Sequence, residues 1–256
     1  MGGQEALIHP SARIGRDVEI GPWTVIGPEV VIGDACKIAS HVIIRSHTIL
    51  GRNNRVFQFS SVGEDPSDKK YHGEVSWLEI GDDNTVREGV TIHRGTGGGG
   101  GLTRIGSNNL LMPYAHVAHD CTVGDHTVFA NNAAISGHVE VADWAILGGY
   151  SGVNQFLKIG AHSFVGGFTH INMDVPAYII VNGNPPAPRG INSIGLERRG
   201  FTAADIRSLR KAYKILYRQG FRLEESLSHL EDMVAECVHI RFLIDSLNAA
   251  SRGIIR

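Results

Sequence analysis

Residues 14–32 read Ile14-Gly15-Arg16-Asp17-Val18-Glu19-Ile20-Gly21-Pro22-Trp23-Thr24-Val25-Ile26-Gly27-Pro28-Glu29-Val30-Val31-Ile32. An isoleucine falls on every sixth position, and the phase extends both ways. Ile8 precedes the stretch, and Ile38, Ile44, Leu50, Val56 and Val62 continue it. Ile80, Val86 and Ile92 form a second run, and a third goes from Ile105 through Leu111, Val117, Val123 and Phe129 to Ile171. A helix repeats at 3.6 residues and a half-buried strand at two, so neither holds a six-residue phase for so long. A short fixed period means a solenoid whose turns stack on one another.

Four residues after each aliphatic the chain is small or β-branched: Ala12, Val18, Thr24, Val30 and Cys36, and later Ala115, Cys121 and Thr127. Positions two apart on a strand share a face, so the aliphatic and the small residue two before the next one fill the interior together. Three short strands and three corners make a triangular coil of about 18 residues. Glycines after the aliphatics (Gly15, Gly21, Gly27) are read as tight corners, and the recurrent Asn and Asp as turn chemistry. Two stretches, 63–77 and 95–104, break the phase and are read as loops, the second flexible because Gly97 to Gly101 are consecutive glycines. The glycine run lacks the Lys-Ser or Lys-Thr of a phosphate cradle.

The repeat fades near Asp174-Val175-Pro176, and the pattern then turns helical. Thr202-Ala203-Ala204-Asp205 reads as a capping start, Ile206, Leu209, Tyr213 and Leu216 as a buried stripe, and Gly220 as a stop. A second helical region, broken once, spans about 223–250. The expected organisation is an all-β solenoid domain over 1–194 and a helical domain over 195–256.

Net charge is −2, which gives bulk charge no case for nucleic acid. The absence of a long apolar run or a signal peptide points to a soluble cytoplasmic protein, and the three cysteines have no metal-type spacing. Charge is local instead. Between Arg198 and Arg222 there are eight Lys or Arg and one acid, Asp205. Arg207, Arg210, Lys211, Lys214 and Arg218 share one helix face, a surface for an acidic partner.

Thirteen histidines are many for this length. On an 18-residue coil, Gly137 and His138 stack over His119 and Asp120, close to His116 in sequence. A carboxylate that orients a neighbouring imidazole makes it a general base.

The chain resembles the acyl carrier protein–UDP-N-acetylglucosamine O-acyltransferases along its whole length. The resemblance rests on Thr91-Ile92-His93-Arg94-Gly95-Thr96, Ala115-His116-Val117-Ala118-His119-Asp120-Cys121, Ala130-Asn131-Asn132-Ala133, Gly137-His138-Val139 and Arg198-Arg199-Gly200-Phe201. It implies a left-handed parallel β-helix with a C-terminal α-helical domain, a homotrimer, and active sites between subunits. It also implies transfer of a 3-hydroxyacyl chain to the sugar 3-hydroxyl, in lipid A biosynthesis. By the same resemblance His119 is the base, Asp120 supports it, and the Gly137 N–H holds the oxyanion. Asp68, Lys70, His93, His116, His138, Gln155, Asn192, Arg198 and Arg199 bind substrate. Gly167 and Pro185 bound the acyl groove, and Arg207, Arg210, Lys211, Lys214 and Arg218 dock the carrier. No metal or diffusible cofactor is implied, since the acyl group arrives on the carrier's phosphopantetheine.

Three departures stand out: Asn154 before Gln155 where a His is common, Ile194 where a Glu is common, and Pro185 where some members have His. They leave open transfer to a 3-amino analogue of the sugar. More distant alternatives are an acetyl-CoA-dependent hexapeptide acetyltransferase and a structural solenoid. The zinc solenoids pair same-chain histidines five apart, but Cys121 and Gly124 stand where the partners of His116 and His119 would be.

Overall fold

A computed structural model of the chain describes residues 5–256. The chain passes in turn through three sheets of nine, eight and ten strands. The first sheet begins with Leu7–Ile8, the second with Arg13–Ile14 and the third with Glu19–Ile20. Within the repeat each strand pairs in parallel with the strand three along, for instance Ile8 with Ile26 and Ile135 with Val153. Away from the two loops the register advances by 18 residues. Most strands are two residues long, so regularity comes from stacking between coils rather than from strand length.

The interior holds the expected residues. Ile26, Ile44, Leu111, Phe129 and Leu147 are buried together with the small Cys36, Ala115, Cys121, Ala133 and Ala145. Each buried aliphatic contributes about 1.5–3 kcal/mol relative to exposure. Ile8 and Ile14 differ: they are 44% and 37% exposed, because the first coil has no coil beneath it. Burial also pushes the Cys121 thiol up to about 12, which leaves it unreactive at neutral pH.

The corner glycines work differently from the reading above. Left-handed φ falls two residues later, on Asp17, Trp23, Glu29 and Ala35, not on Gly15, Gly21, Gly27 or Gly33. A Cβ on Gly21 would lie 2.5 Å from the Ser40 nitrogen of the next coil, and one on Gly33 would lie 2.6 Å from the Gly51 carbonyl carbon. Close approach of successive coils is therefore what demands glycine there. Turn chemistry is likewise only part of the asparagine story. Asn54, Asn84 and Asn109 are buried one above another. The Asn84 amide donates to Asn54 Oδ1 (3.0 Å) and the Gly106 carbonyl (3.0 Å), and Asn84 Oδ1 accepts the Asn109 N–H (2.9 Å). The ladder ends with Thr127, which donates its N–H and hydroxyl to Asn109 Oδ1.

The first loop lies between the strands Ser61–Glu64 and Trp77–Ile80, and the second ends before Leu102–Ile105, both shorter than expected. After the repeat, Ile179–Asn182 and Ala187–Ile191 form an antiparallel hairpin on the third sheet. Four helices follow: α1 (Ser193–Arg198), α2 (Ala203–Arg218), α3 (Leu223–Glu231) and α4 (His239–Asn248). The first begins two residues before the expected boundary. Helix α2 carries the expected capping box between Thr202 and Asp205, and Ile206, Leu209, Tyr213 and Leu216 are buried. No described helix is long and apolar enough to cross a membrane. The tail then returns to the strands, where Asp174 bridges to Ile254.

Asn84→Ala should lower stability by about 1–3 kcal/mol, since it strands buried polar groups on both sides. A thermal-unfolding midpoint unchanged from wild type would contradict a supporting role for the ladder.

Candidate active site

The 18-residue register places corner residues of successive coils above one another. At the corner from first to second sheet, Asp120 and His138 both adopt left-handed φ (58° and 60°), and Phe156 follows at 65°. The His138 N–H donates to the His119 carbonyl at 3.0 Å, which locks the two coils together.

Asp120 is the hub, its side chain 1% exposed. Its Oδ2 lies 2.8 Å from His119 Nδ1 and 3.7 Å from His138 Nε2. A buried carboxylate on Nδ1 fixes the proton there and leaves Nε2 with a free lone pair, the arrangement of a base. Gly137 lies against that ring: a Cβ on it would sit 2.8 Å from His119 Nε2. Among the described residues the Gly137 N–H donates no hydrogen bond, so it can meet a developing oxyanion. His119, Asp120 and His138 could also hold a metal ion by geometry. The carboxylate, however, is already taken up by hydrogen-bond donors.

Two of those donors belong to the glycine-rich loop. The Thr96 N–H reaches Asp120 Oδ1 at 2.8 Å and its hydroxyl reaches Oδ2 at 2.7 Å. A single 3-10 turn, Gly97–Gly99, packs on the same carboxylate, where a Cβ on Gly99 would fall 2.2 Å from Asp120 Cγ. The loop read as merely flexible thus clamps Asp120, and glycine is needed because the carboxylate fills the side-chain space. The signal for it was available. Thr91 pairs with His116, so the loop adds seven residues to one coil and Thr96 lands on the corner of Asp120.

The other histidines gather on the adjoining strands. The rings of His93 and His116 meet edge to face at 4.9 Å, and Thr91 Oγ1 lies 2.7 Å from His116 Nδ1. Burial holds His116 down to about 4 and lowers His93, so both are neutral at pH 7. The first loop approaches them through Ser67, 3.5 Å from His93 Nδ1. Arg94, only 5% exposed, shapes this loop by donating to the Gly63 carbonyl (2.6 Å), Asp65 and the Tyr71 hydroxyl. Lys70 is exposed, and its N–H donates to Asp68 Oδ1 at 2.9 Å.

The remaining expected residues are not brought to His119 within one chain. Asn192 is buried, capping α1 through Gly195 and donating to the His162 carbonyl. Arg199 lies over the Trp144 ring and 3.0 Å from His162 Nδ1. Both sit at the corner from second to third sheet, beside exposed Arg198. Gly167 is at the corner from third to first sheet, and Pro185 is in the hairpin turn. Gln155 is exposed beside Phe156 at the catalytic corner. Arg207, Arg210, Lys211, Lys214 and Arg218 are exposed on α2, as a docking face requires. An apolar cavity of about 370 Å³ lies elsewhere, between Val141, Ile159 and Phe242 of α4.

Gly99→Ala should displace the Asp120 carboxylate and cost His119 its fixed Nδ1–H tautomer, read by ring nitrogen NMR. Gly98→Ala, with nothing within 4 Å of its Cβ, is the control that should leave it intact. Burial also holds His162 down to about 4. Unfolded histidine titrates near 6.5, so His116 and His162 favour the folded state fully above that pH. Stability should fall as pH drops from about 6.5 toward 4, where the unfolded chain binds more protons. A thermal midpoint constant across that window would contradict the neutral assignment.

Comparisons with known proteins agree with this arrangement. A hexapeptide-transferase profile matches residues 11–46 and 102–137, and one described as "Udp N-acetylglucosamine O-acyltransferase; Domain 2" matches 174–255. An acyl-[acyl-carrier-protein]–UDP-N-acetylglucosamine O-acyltransferase of Ectopseudomonas mendocina is 52% identical over 98% of this chain and 97% of that protein. The solved LpxA of Acinetobacter baumannii is 47% identical, with a TM-score of 0.96 and 98% of each chain covered. That of Bacteroides fragilis is 39% identical over 100% of both chains, also at 0.96. The chain belongs to the acyl-[acyl-carrier-protein]–UDP-N-acetylglucosamine O-acyltransferase family.

Proposed function

We propose that this protein transfers a 3-hydroxyacyl chain from acyl carrier protein to the 3-hydroxyl of UDP-N-acetylglucosamine, the first step of lipid A biosynthesis. The observation that carries the reading is the His119–Asp120 pair at 2.8 Å with Gly137 against the ring. Full-length kinship at about half identity supplies the substrates.

His119 Nε2 takes the proton of the sugar 3-hydroxyl as its oxygen attacks the thioester carbonyl. The new C–O bond forms, and the carbonyl oxygen, now an anion, accepts from the Gly137 N–H. Asp120 stabilises the imidazolium, held by Thr96 so that it does not turn away. Collapse breaks the C–S bond, and His119 returns its proton to the leaving phosphopantetheine thiolate. Neutral His93 and His116 can accept hydrogen bonds, while Asp68, Lys70, His138 and Gln155 bind the substrates. No metal or diffusible cofactor enters this sequence.

We further propose the left-handed parallel β-helix of the family and a homotrimer. Asn192, Arg198 and Arg199 lie on a different corner from His119, so they serve a site only if a second copy supplies them. Leu7, Ile43, Phe59, Tyr114, Tyr150 and Phe168 are exposed and apolar, which suits contact between copies. The basic face of α2 docks the acidic carrier, and Gly167 with Pro185 bounds the acyl groove. The carrier-borne donor places the reaction in the cytoplasm.

Radiolabelled UDP-N-acetylglucosamine, offered a panel of 3-hydroxyacyl carrier proteins, should be acylated best at one chain length. His119→Ala should slow transfer by about 10²–10⁴-fold. The product should release its acyl chain in mild base, as an ester does, whereas a base-stable product made only from the 3-amino sugar would overturn the choice of acceptor. Gly167→Met should move the optimum to shorter chains, and unchanged selectivity would remove Gly167 from the groove.

A further inference from the structure

The C-terminal tail is pinned onto the corner that carries the catalytic pair. Asp174 is 2% exposed and accepts three backbone N–H groups: Lys158 on Oδ1 (2.7 Å), and Ser251 (3.0 Å) and Arg252 (3.4 Å) on Oδ2. The bridge between Asp174 and Ile254 holds the same segment. Nothing in the helical packing requires a buried carboxylate at that point. Its effect is to set the direction of Arg252.

The Arg252 guanidinium lies 4.9 Å from the centre of the Phe156 ring. Phe156 stacks on His138 at 4.4 Å and 8°, and His138 faces Asp120. A column of side chains thus runs from the tail to the catalytic pair. Asp120, His138 and Phe156 are one coil apart each, about 4.8 Å per step, which puts Arg252 about 15 Å from Asp120. Beside it opens a cavity of about 390 Å³ lined by Ser136, Asn154, Gln155, Leu157, Asn172 and Arg252. It contains no carboxylate. Among the described residues Arg252 has no ion-pair partner, and the side chains of Ser136, Asn154, Gln155 and Asn172 make no hydrogen bond. One free cation among free amides, without an acid, is a site for an anion.

We propose that Arg252, with Asn154, Gln155 and Asn172, binds the phosphodiester of the donor's phosphopantetheine arm. This rests on the acyltransferase reading above. The carrier approaches from the helical end of the molecule, and its thioester must reach the gap between His119 and Gly137. The arm therefore follows this corner, and its extended cysteamine, β-alanine and pantoate units cover the span from the catalytic pair to Arg252. The amides suit the arm's peptide groups and Arg252 its phosphate. Asn154, a departure from the family's common histidine, lies within this site.

The test compares three donors, acyl carrier protein, acyl-phosphopantetheine and acyl-pantetheine without the phosphate, in wild type and Arg252→Ala. Arg252 is exposed, so the variant should fold. KM for acyl-phosphopantetheine should rise about tenfold, the loss of one charge-assisted hydrogen bond. KM for acyl-pantetheine and for UDP-N-acetylglucosamine should not move, and Arg252→Lys should recover part of the loss. Equal losses with and without the phosphate would overturn the proposal. A raised KM for the sugar nucleotide would also overturn it, by assigning Arg252 to the diphosphate instead. If KM rises only for the intact carrier, Arg252 contacts the carrier's surface and the proposal fails. Wild-type protein that transfers from no donor would refute the acyltransferase reading itself, an outcome separate from the others.

Discussion

Everything in this molecule depends on one constraint: successive coils hydrogen-bond in parallel at a register of 18 residues. The strands are too short to be stable alone, so each coil is a template for the next. The spacing is tight enough that Gly21 and Gly33 have backbone of the next coil where a Cβ would be. The same spacing makes a column of any property repeated at that interval. Aliphatics become a core, Asn54, Asn84 and Asn109 become a ladder, and rings become stacks such as His126 on Trp144 at 4.0 Å.

The candidate site is one such column with chemistry in it. A corner residue in left-handed φ projects from the prism, and three in succession are Asp120, His138 and Phe156. Asp120 remains buried there only because the glycine loop folds over it and Thr96 supplies two donors. A buried carboxylate without donors would be costly. Here its acceptor capacity is spent on Thr96 and on the His119 Nδ1–H, which orients the imidazole. The loops that interrupt the repeat therefore complete the site: one clamps the carboxylate, and the other, tied down by Arg94, brings Asp68 and Lys70 toward the histidines.

Charge is divided by location in the same way. The prism balances its surface ions in pairs that span one coil, such as Arg16 with Asp34 and Lys37 with Glu19. Those exposed pairs add little to stability. Unpaired cations collect instead on α2 and at Arg252, at the end of the molecule from which an acidic carrier approaches. The basic helix steers, and the column guides what the carrier delivers.

The period of six, the alternation of large and small interior residues and the capping box at Thr202 were legible in the amino-acid order, because each depends on neighbours at fixed spacing. So was the stacking of His138 over Asp120, since an unbroken 18-residue register converts sequence distance into height. Three features were not legible. The corner glycines were assigned to turns, whereas clearance to a coil 18 residues away decides them. The glycine run was taken as slack, yet its place depends on how seven inserted residues fold back onto Asp120. Arg252 lies 132 positions from Asp120 in the chain, and only the return of the tail to Asp174 sets it above Phe156. Periodic order is written locally and can be read; contacts made by insertions and by a returning tail exist only once the whole chain has packed.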